Sequence, residues 1–423
     1  MRRLLSHCLL VLMGAGLPLL ALEFALRALY PETRVLDRHA RLGTALRPRL
    51  DARKTFGGHE RVVRITTNSL GLRDRELPAV RPPGVRRILA LGDSFTFGDA
   101  VEWVEAWPQQ LERALNGSGQ AEWYEVVNAG VSGYGTAQQL LLYRALEVQI
   151  RPDVVVLGFS VVNDVLDNLC VEEGHYGPRA NTPCFGLAGA ELELRQPVPG
   201  NGTASPRASW LTRWRVVGFV RVQARRLGPS NPALLRLLAR AGVQLPLPYL
   251  PGTVASWTDP RFSEPGWELT RRILLELRDT LAARRIPLVI LVIPSAVQVD
   301  AGRRGVLALL GRGHPAVEAY LRDPLKPQRA LLGFCEEARL TCVDPLAALY
   351  EAEARGERPY YLIDGHWTPA GHRIAAASLV HPLRDLRVPV PSRATALGAR
   401  PGPSAGVPAA RPSPAGLAAR GGR

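Results

Sequence analysis

Short unbroken aliphatic runs alternate along this chain with longer stretches whose apolar positions recur at helical spacing. Arg87–Leu91 precedes a helical pattern from Val104 to Leu115, and Glu125–Asn128 precedes one from Thr136 to Gln149. Asp153–Phe159 is another such run and stands before a long interruption. Beyond it, helix Trp267–Arg284 leads to strand Ile286–Ile293, helix Gln328–Arg339 leads to strand Leu340–Val343, and a last helix opens near Pro369. Continuous aliphatic runs are strands buried on both faces. Strands separated by helices predict an α/β fold, a three-layer doubly wound parallel sheet with right-handed crossovers. Glu60–Thr67, with Val62, Val63 and Ile65, is a further strand, running into a turn at Asn68–Asp74.

The flanks are different. Met1-Arg2-Arg3 precedes an apolar stretch from Leu4 to Leu22, about the ~20 residues that span a bilayer. Basic residues ahead of it predict a cytoplasmic N-terminus and an exported remainder. No small-x-small cleavage site follows, so an uncleaved signal anchor over 1–22 is expected rather than a removed signal peptide. Residues 23–58 lack steady periodicity and read as a juxtamembrane connector, and 59–387 as the folded domain. Within it, 165–262 is an insertion of the size that forms a cap over a ligand-binding edge. It holds an Arg-rich, Trp-containing helix, Ser209–Arg226, and an apolar one near Ala233–Ala241; Trp210, Trp214 and Phe219 read as packing it onto the core. Residues 388–423 are Pro, Ala, Gly, Ser and Arg, a composition that cannot offset its ordering entropy and is expected to be disordered.

The formal charge of +15 does not indicate a nucleic-acid partner. The basic residues are scattered, Lys occurs only at Lys54 and Lys326, and five arginines lie in the acid-free tail. No zinc-finger spacing, RNA-binding aromatic signature or basic-helix block is present. Beyond Cys8 the cysteines are Cys170, Cys184, Cys335 and Cys342, an even number that suits an oxidising compartment. Pairing by proximity, Cys170 with Cys184 and Cys335 with Cys342, is the simplest of three connectivities. No metal-ligand spacing appears among Cys and His, and neither metal nor cofactor is expected.

The chemistry-bearing residues cluster after the predicted strands. Gly92-Asp93-Ser94 follows the first central strand, placing a hydroxyl at the carboxyl edge, where open α/β sheets bind ligands. Asn128-Ala129-Gly130-Val131-Ser132-Gly133-Tyr134-Gly135 follows the second; its glycines allow close backbone approach and N–H groups directed at an anion, or simply make a tight βα turn. Val162-Asn163-Asp164 follows the third, and an Asn amide there can hold an oxyanion or cap a helix. Late in the chain, Asp364-Gly365-His366 precedes Trp367-Thr368-Pro369-Ala370-Gly371-His372. Asp364 can hold the His366 tautomer while the other ring nitrogen takes the serine proton. His372, where the last helix has begun, reads as packing or capping.

In order and kind, these blocks resemble the SGNH (GDSL) hydrolase family over roughly residues 60–385, apart from the insertion. The resemblance implies a flavodoxin-like sheet of SGNH type, with Ser94 as nucleophile, Gly133 and Asn163 in the oxyanion hole beside the Ser94 N–H, and His366 with Asp364 as base and orienting acid. Gly130 is the fallback for Gly133. The stretch Gly92–Val101 with Trp107-Pro108 also looks like the family's exported bacterial members. One residue separates Asp364 from His366 where the usual block has two, a spacing that looks like the periplasmic polysaccharide O-acetylation proteins. Gly158 and Asn163 lie further apart than in the compact Gly-x-Asn-Asp form. The expectation is a membrane-tethered, exported serine esterase or O-acyltransferase with its catalytic domain on the periplasmic side. It would act on ester-linked acyl groups, acetyl foremost, of an envelope carbohydrate, with envelope-assembly proteins as possible partners. The alternatives are a lipid esterase and a catalytically silent scaffold or glycan-binding subunit of an envelope assembly.

Overall fold

The computed structural model describes residues 33–56, 61–117 apart from 79, 122–169, 254–362 and 365–386, with a helix at 16–30 and short pieces between 173 and 219. Helix α1 (Leu17–Leu29) is followed by two antiparallel pairs: β1 (Leu36–His39) with β2 (Gly43–Leu46), and β3 (Asp51–Phe56) with β4 (Arg61–Thr66). The α/β unit then runs β5 (Val85–Gly92), α2 (Ser94–Phe97), α3 (Trp107–Leu115), β6 (Trp123–Gly130), α4 (Thr136–Ile150), β7 (Val154–Ser160) and α5 (Asp164–Asp167). A hairpin of β8 (Cys184–Ala188) and β9 (Glu191–Arg195) belongs to the insertion. Then come α6 (Pro260–Ala282), β10 (Leu288–Ile293), α7 (Ala301–Leu310), α8 (Pro315–Arg322), α9 (Lys326–Glu337), β11 (Thr341–Val343), α10 (Leu346–Ala354) and α11 (Pro369–Asp385).

The main sheet has the order β11-β10-β7-β5-β6, every pair parallel. The three-layer expectation holds because each strand is aliphatic on both sides. Leu89, Leu91, Val127, Val155, Leu157, Ile290 and Val292 pack with α4, α6 and α9. Ile88, Ala90, Val126, Val154, Val156, Val289 and Leu291 pack with α3, α10 and α11. Burying a strand twice removes its polar alternation, which is why these strands stand out in the sequence.

The connector departs from the expectation, and two further regions lie largely outside the described residues. The stretch read as a connector carries the end of α1 and strands β1–β3, whose strand pairing is confined to two-stranded ladders. Leu42, Leu46, Val63 and Ile65 nonetheless join the core on the α4 side. Helix α1 runs past Leu22 and carries Glu23 and Arg27, an ion pair at 2.7 Å. Residues 1–13 and 15, most of the expected anchor, lie outside the described residues, and no described helix is long and apolar enough to cross a membrane. Most of Ser209–Arg226, Ala233–Ala241 and the tail after 386 also lie outside them; the Val216 N–H donates to Glu23 of α1 at 3.0 Å. Cys335 and Cys342 are disulfide-bonded to each other, and Cys184 is also disulfide-bonded, while Cys170 lies outside the described residues.

The register of the central strands prepares the site. Gly92 of β5 lies level with Gly130 of β6 on one side and Gly158 of β7 on the other. A Cβ at Gly130 would stand 2.2 Å from the Phe97 nitrogen, one at Gly92 2.0 Å from Thr96 Oγ1, and one at Gly158 2.5 Å from that same oxygen. The three glycines therefore form a seat into which α2 sinks. Gly130→Ala is expected to destabilise the fold by roughly 3 kcal/mol or more, the upper range of overpacking, because the obstacle is backbone. Urea unfolding of the variant against wild type checks this; a loss below about 1 kcal/mol would show that α2 is not seated as described.

Candidate active site

Ser94 opens α2. Asp93, the residue before it, caps the helix by accepting the Phe95 N–H at 2.9 Å. At the far end the Arg73 guanidinium donates to the carbonyls of Phe97 (2.9 Å), Gly98 (2.6 Å) and Val101 (2.7 Å) and lies over the Phe97 ring. Side chains thus bind backbone groups at both ends of this one-turn helix. Arg73 is fully buried, and burial pulls its pKa down to about 10, opposed by the carboxylates of Asp99, Glu102 and Glu105. It remains a cation at neutral pH.

His366 comes from the loop between α10 and α11. That loop is closed by Tyr361 N–H to the His366 carbonyl (2.9 Å) and Gly365 N–H to the Tyr361 carbonyl (3.2 Å), with a bridge from Tyr360 to Trp367. The Arg303 guanidinium of α7 also donates to the Tyr361 carbonyl. The Tyr361 hydroxyl donates to the Ala100 carbonyl at 3.0 Å and accepts from Arg61 of β4 at 3.1 Å, tying the loop to the segment that follows Ser94. Phe95 packs against the His366 ring at 4.8 Å and against Trp367 at 5.1 Å. The outcome is a hydrogen bond of 2.7 Å between His366 Nε2 and Ser94 Oγ, across 272 residues of chain. When Nε2 is unprotonated it accepts from the hydroxyl, the arrangement that readies a serine for attack.

The other expected site residues lie on neighbouring loops. Gly133 has φ +84, a backbone conformation suited to glycine, and a Cβ there would meet open space. Its loop is pinned by Ser132 Oγ to Asp99 Oδ1 at 2.7 Å. Asn163 is buried just before α5, and its Nδ2 donates to Asp167 Oδ2 at 2.8 Å. Gly130, the alternative to Gly133, is occupied as the seat of α2. Asp364 lies outside the described residues. Among the described residues no group of His, Cys, Asp and Glu could hold a metal ion. Asp93 is fully buried, and burial raises its pKa; the Phe95 N–H and His366 oppose this, while the nearby Asp167 and Asp99 add to it.

Residues 90–374, two thirds of the chain, match the model of the GDSL-like lipase/acylhydrolase family. The chain belongs to this family. It is accordingly a serine hydrolase of the acyl-esterase type. No curated sequence matches it. Among solved structures, the lipase/acylhydrolase from Enterococcus faecalis is similar at 14% identity, over 73% of this chain and 99% of its own, with a TM-score of 0.34. An acetyl xylan esterase, AlAXEase, is similar at 10% identity over 70% and 99%, with a TM-score of 0.33. A catalytic mutant of Axe2, an acetylxylan esterase from Geobacillus stearothermophilus, is similar at 13% identity over 70% and 93%, also with a TM-score of 0.33.

Three residues that support this acylhydrolase's site were not singled out in its sequence: Arg73, Tyr361 and Asp167. Arg73 sits in a turn segment, and only its complete burial marks it. Asp167 had a findable signal, an acid four residues after Asn163 on a helical turn. The rival histidine, His372, lies on α11 with its Nδ1 accepting the Trp107 N–H at 3.2 Å and its ring edge-on to Trp367. It is the capping partner of α3. Burial pushes its pKa down to about 3, with His366 and Arg73 adding to the effect.

This depression carries a pH signature. The unfolded histidine binds a proton near pH 6.5 whereas the folded one does so only near 3. Through that window the unfolded state holds more protons, so stability falls as pH falls from 6.5 towards 3. His372→Asn places an amide oxygen near the Nδ1 position and removes the titration. Thermal melts from pH 7 to 4 are expected to show a shallower acid loss in the variant; equal slopes would mean that His372 titrates normally in the folded protein.

Proposed function

We propose that this esterase is a membrane-tethered, exported enzyme acting on ester-linked acyl groups, acetyl foremost, of an envelope carbohydrate. The observation that carries the chemistry is the 2.7 Å contact between His366 Nε2 and Ser94 Oγ at the carboxyl edge of the sheet. Ser94 Oγ attacks the acyl carbonyl while its proton passes to His366 Nε2. Asp364 accepts from the opposite ring nitrogen and holds the tautomer. The carbonyl oxygen, now an anion, is held by the N–H groups of Ser94 and Gly133 and by the Asn163 amide. Collapse expels the alcohol oxygen, which takes the proton from His366, and leaves an acyl-Ser94 ester. In the second half His366 takes a proton from the acceptor, whose oxygen attacks the acyl carbon, and the bond to Ser94 breaks as Ser94 Oγ takes that proton back from His366. Water as acceptor makes the enzyme an esterase; a sugar hydroxyl makes it an O-acyltransferase.

Location rests on other features. The apolar run from Leu4 to Leu22 behind Arg2 and Arg3 supports a signal anchor. Leu17, Leu20, Leu22 and Phe24 stand exposed on α1, a surface that lipid would cover. The disulfide-bonded Cys335, Cys342 and Cys184 suit an oxidising compartment.

Labelling of the full-length chain by a fluorophosphonate, followed by turnover of acetyl and long-chain esters, tests the chemistry. Wild type is expected to label and to prefer acetyl esters. Ser94→Ala and His366→Ala are expected not to label and to lose on the order of 10⁵-fold or more in kcat. A Ser94→Ala variant that keeps its activity would overturn the mechanism, and preference for long acyl chains would favour a lipid esterase.

A further inference from the structure

The Asn163 side chain can serve an oxyanion only if its nitrogen end, and not its oxygen, faces the reacting carbonyl. What decides this is a neighbour. Asn163 Oδ1 is buried with no hydrogen-bond partner among the described residues, whereas Nδ2 donates to Asp167 Oδ2 at 2.8 Å. An ionised carboxylate accepts and cannot donate, so it selects the NH₂ end of the amide. With one N–H committed to Asp167, the planar amide directs its second N–H along a single line.

We propose that Asp167 is a positioning residue for the ester chemistry: its carboxylate orients the Asn163 amide so that one N–H is aimed at the developing oxyanion. The inference rests on Asn163 acting in the oxyanion hole as proposed above. The bond is reinforced by the backbone, because the Asp167 N–H donates to the Asn163 carbonyl at 2.7 Å. Asp167 is itself almost inaccessible, 3% exposed, so water does not compete freely for its oxygens. It also abuts the glycine loop, since a Cβ at Gly135 would lie 3.0 Å from the Asp167 Cβ. Its neighbour Asn168 accepts the Ala137 N–H at 2.9 Å, in the first turn of α4, and donates to Thr270 of α6 at 2.9 Å. The short helix α5 is therefore held from both sides, and Asp167 stands between the loop of Gly133 and the amide of Asn163.

The role is separable from folding. Asp167→Asn keeps an acceptor oxygen without the charge, and Asp167→Ala removes the acceptor. The readout is kcat and KM for p-nitrophenyl acetate with the purified full-length protein, alone and in an Asn163→Ala background, with thermal melts alongside. Losing an oxyanion donor costs about 10²–10³ in kcat, so Asn163→Ala is expected to fall in that range. Asp167→Ala is expected to lose roughly 10–100-fold in kcat with KM within about twofold. Asp167→Asn is expected to fall between wild type and Asp167→Ala, because its amide can accept from Asn163 but can also donate to it. In the Asn163→Ala background the further loss from Asp167→Ala is expected to shrink to about threefold or less. An Asn163→Ala enzyme with unchanged kcat would sink the oxyanion role of Asn163. A normal loss for Asn163→Ala, with Asp167→Ala either harmless or equally harmful in both backgrounds, would sink the role of Asp167 alone.

Discussion

The seating of a single helical turn on the ends of three strands is the constraint on which the rest of the molecule depends. Helix α2 carries Ser94, and it lies so low over β5, β6 and β7 that none of Gly92, Gly130 and Gly158 has room for a side chain. A turn this short leaves some of its terminal groups without an intrahelical partner, and water is excluded because all four of its residues are buried. Side chains must supply what solvent cannot. Asp93 does so at one end and Arg73 at the other. Burying a guanidinium costs several kcal/mol, but hydrogen bonds made by a charged group contribute about 1.5–3 kcal/mol each. Three good carbonyl acceptors are enough to make the arrangement tenable.

That economy explains which parts of the protein could be read from its residues. The central strands were legible because double burial strips them of polar positions, and the helices between them because amphipathic spacing survives in Trp107–Leu115 and Pro260–Ala282. The positions of the glycines, Ser94 and Asn163 were legible because each follows a strand whose direction was already known, and that of His366 because it stands in the loop leading to the last expected helix. Strands β1–β3 were not, because Asp51–Phe56 alternates charged residues with partly buried ones and pairs only with β4. Short helices such as α7 and α8 were missed for a related reason. Their starts are set by Asp300 and by Pro315, and α7 carries two glycines, so neither shows the run of helix formers that marks a long helix.

Side-chain roles proved less legible than positions. Gly130 and Gly133 are equivalent in the sequence pattern, both glycines in one loop after one strand. They part only in three dimensions, where Gly130 meets the backbone of α2 and Gly133 faces open space with a left-handed backbone. His366 and His372 divide in the same way. The first is partly exposed beside Ser94, and the second is buried under Trp367 with its nitrogen spent on the Trp107 N–H. In each pair, what differs is what the neighbouring element packs against the residue, and no local pattern of residues encodes that.

The N-terminal ladders complete this logic. The two halves of the proposed acid–base pair come from opposite ends of the α/β unit, and covalent continuity does nothing to hold them 2.7 Å apart. Their alignment is left to cross-braces. Arg73, at the end of the segment that follows β4, grips the turn that carries Ser94, and Arg61 of β4 donates to the Tyr361 hydroxyl, which in turn donates to the Ala100 carbonyl. Bracing of this kind matters because a reacting pair tolerates little displacement; an error of about 1 Å can cost 10²-fold in rate. The β3–β4 ladder therefore belongs to the machinery that holds Ser94 and His366 together. The same reasoning accounts for the cation buried at Arg73. A packed apolar side chain could fill that space, but only a rigid, multiply donating group can bridge three carbonyls of this turn at once.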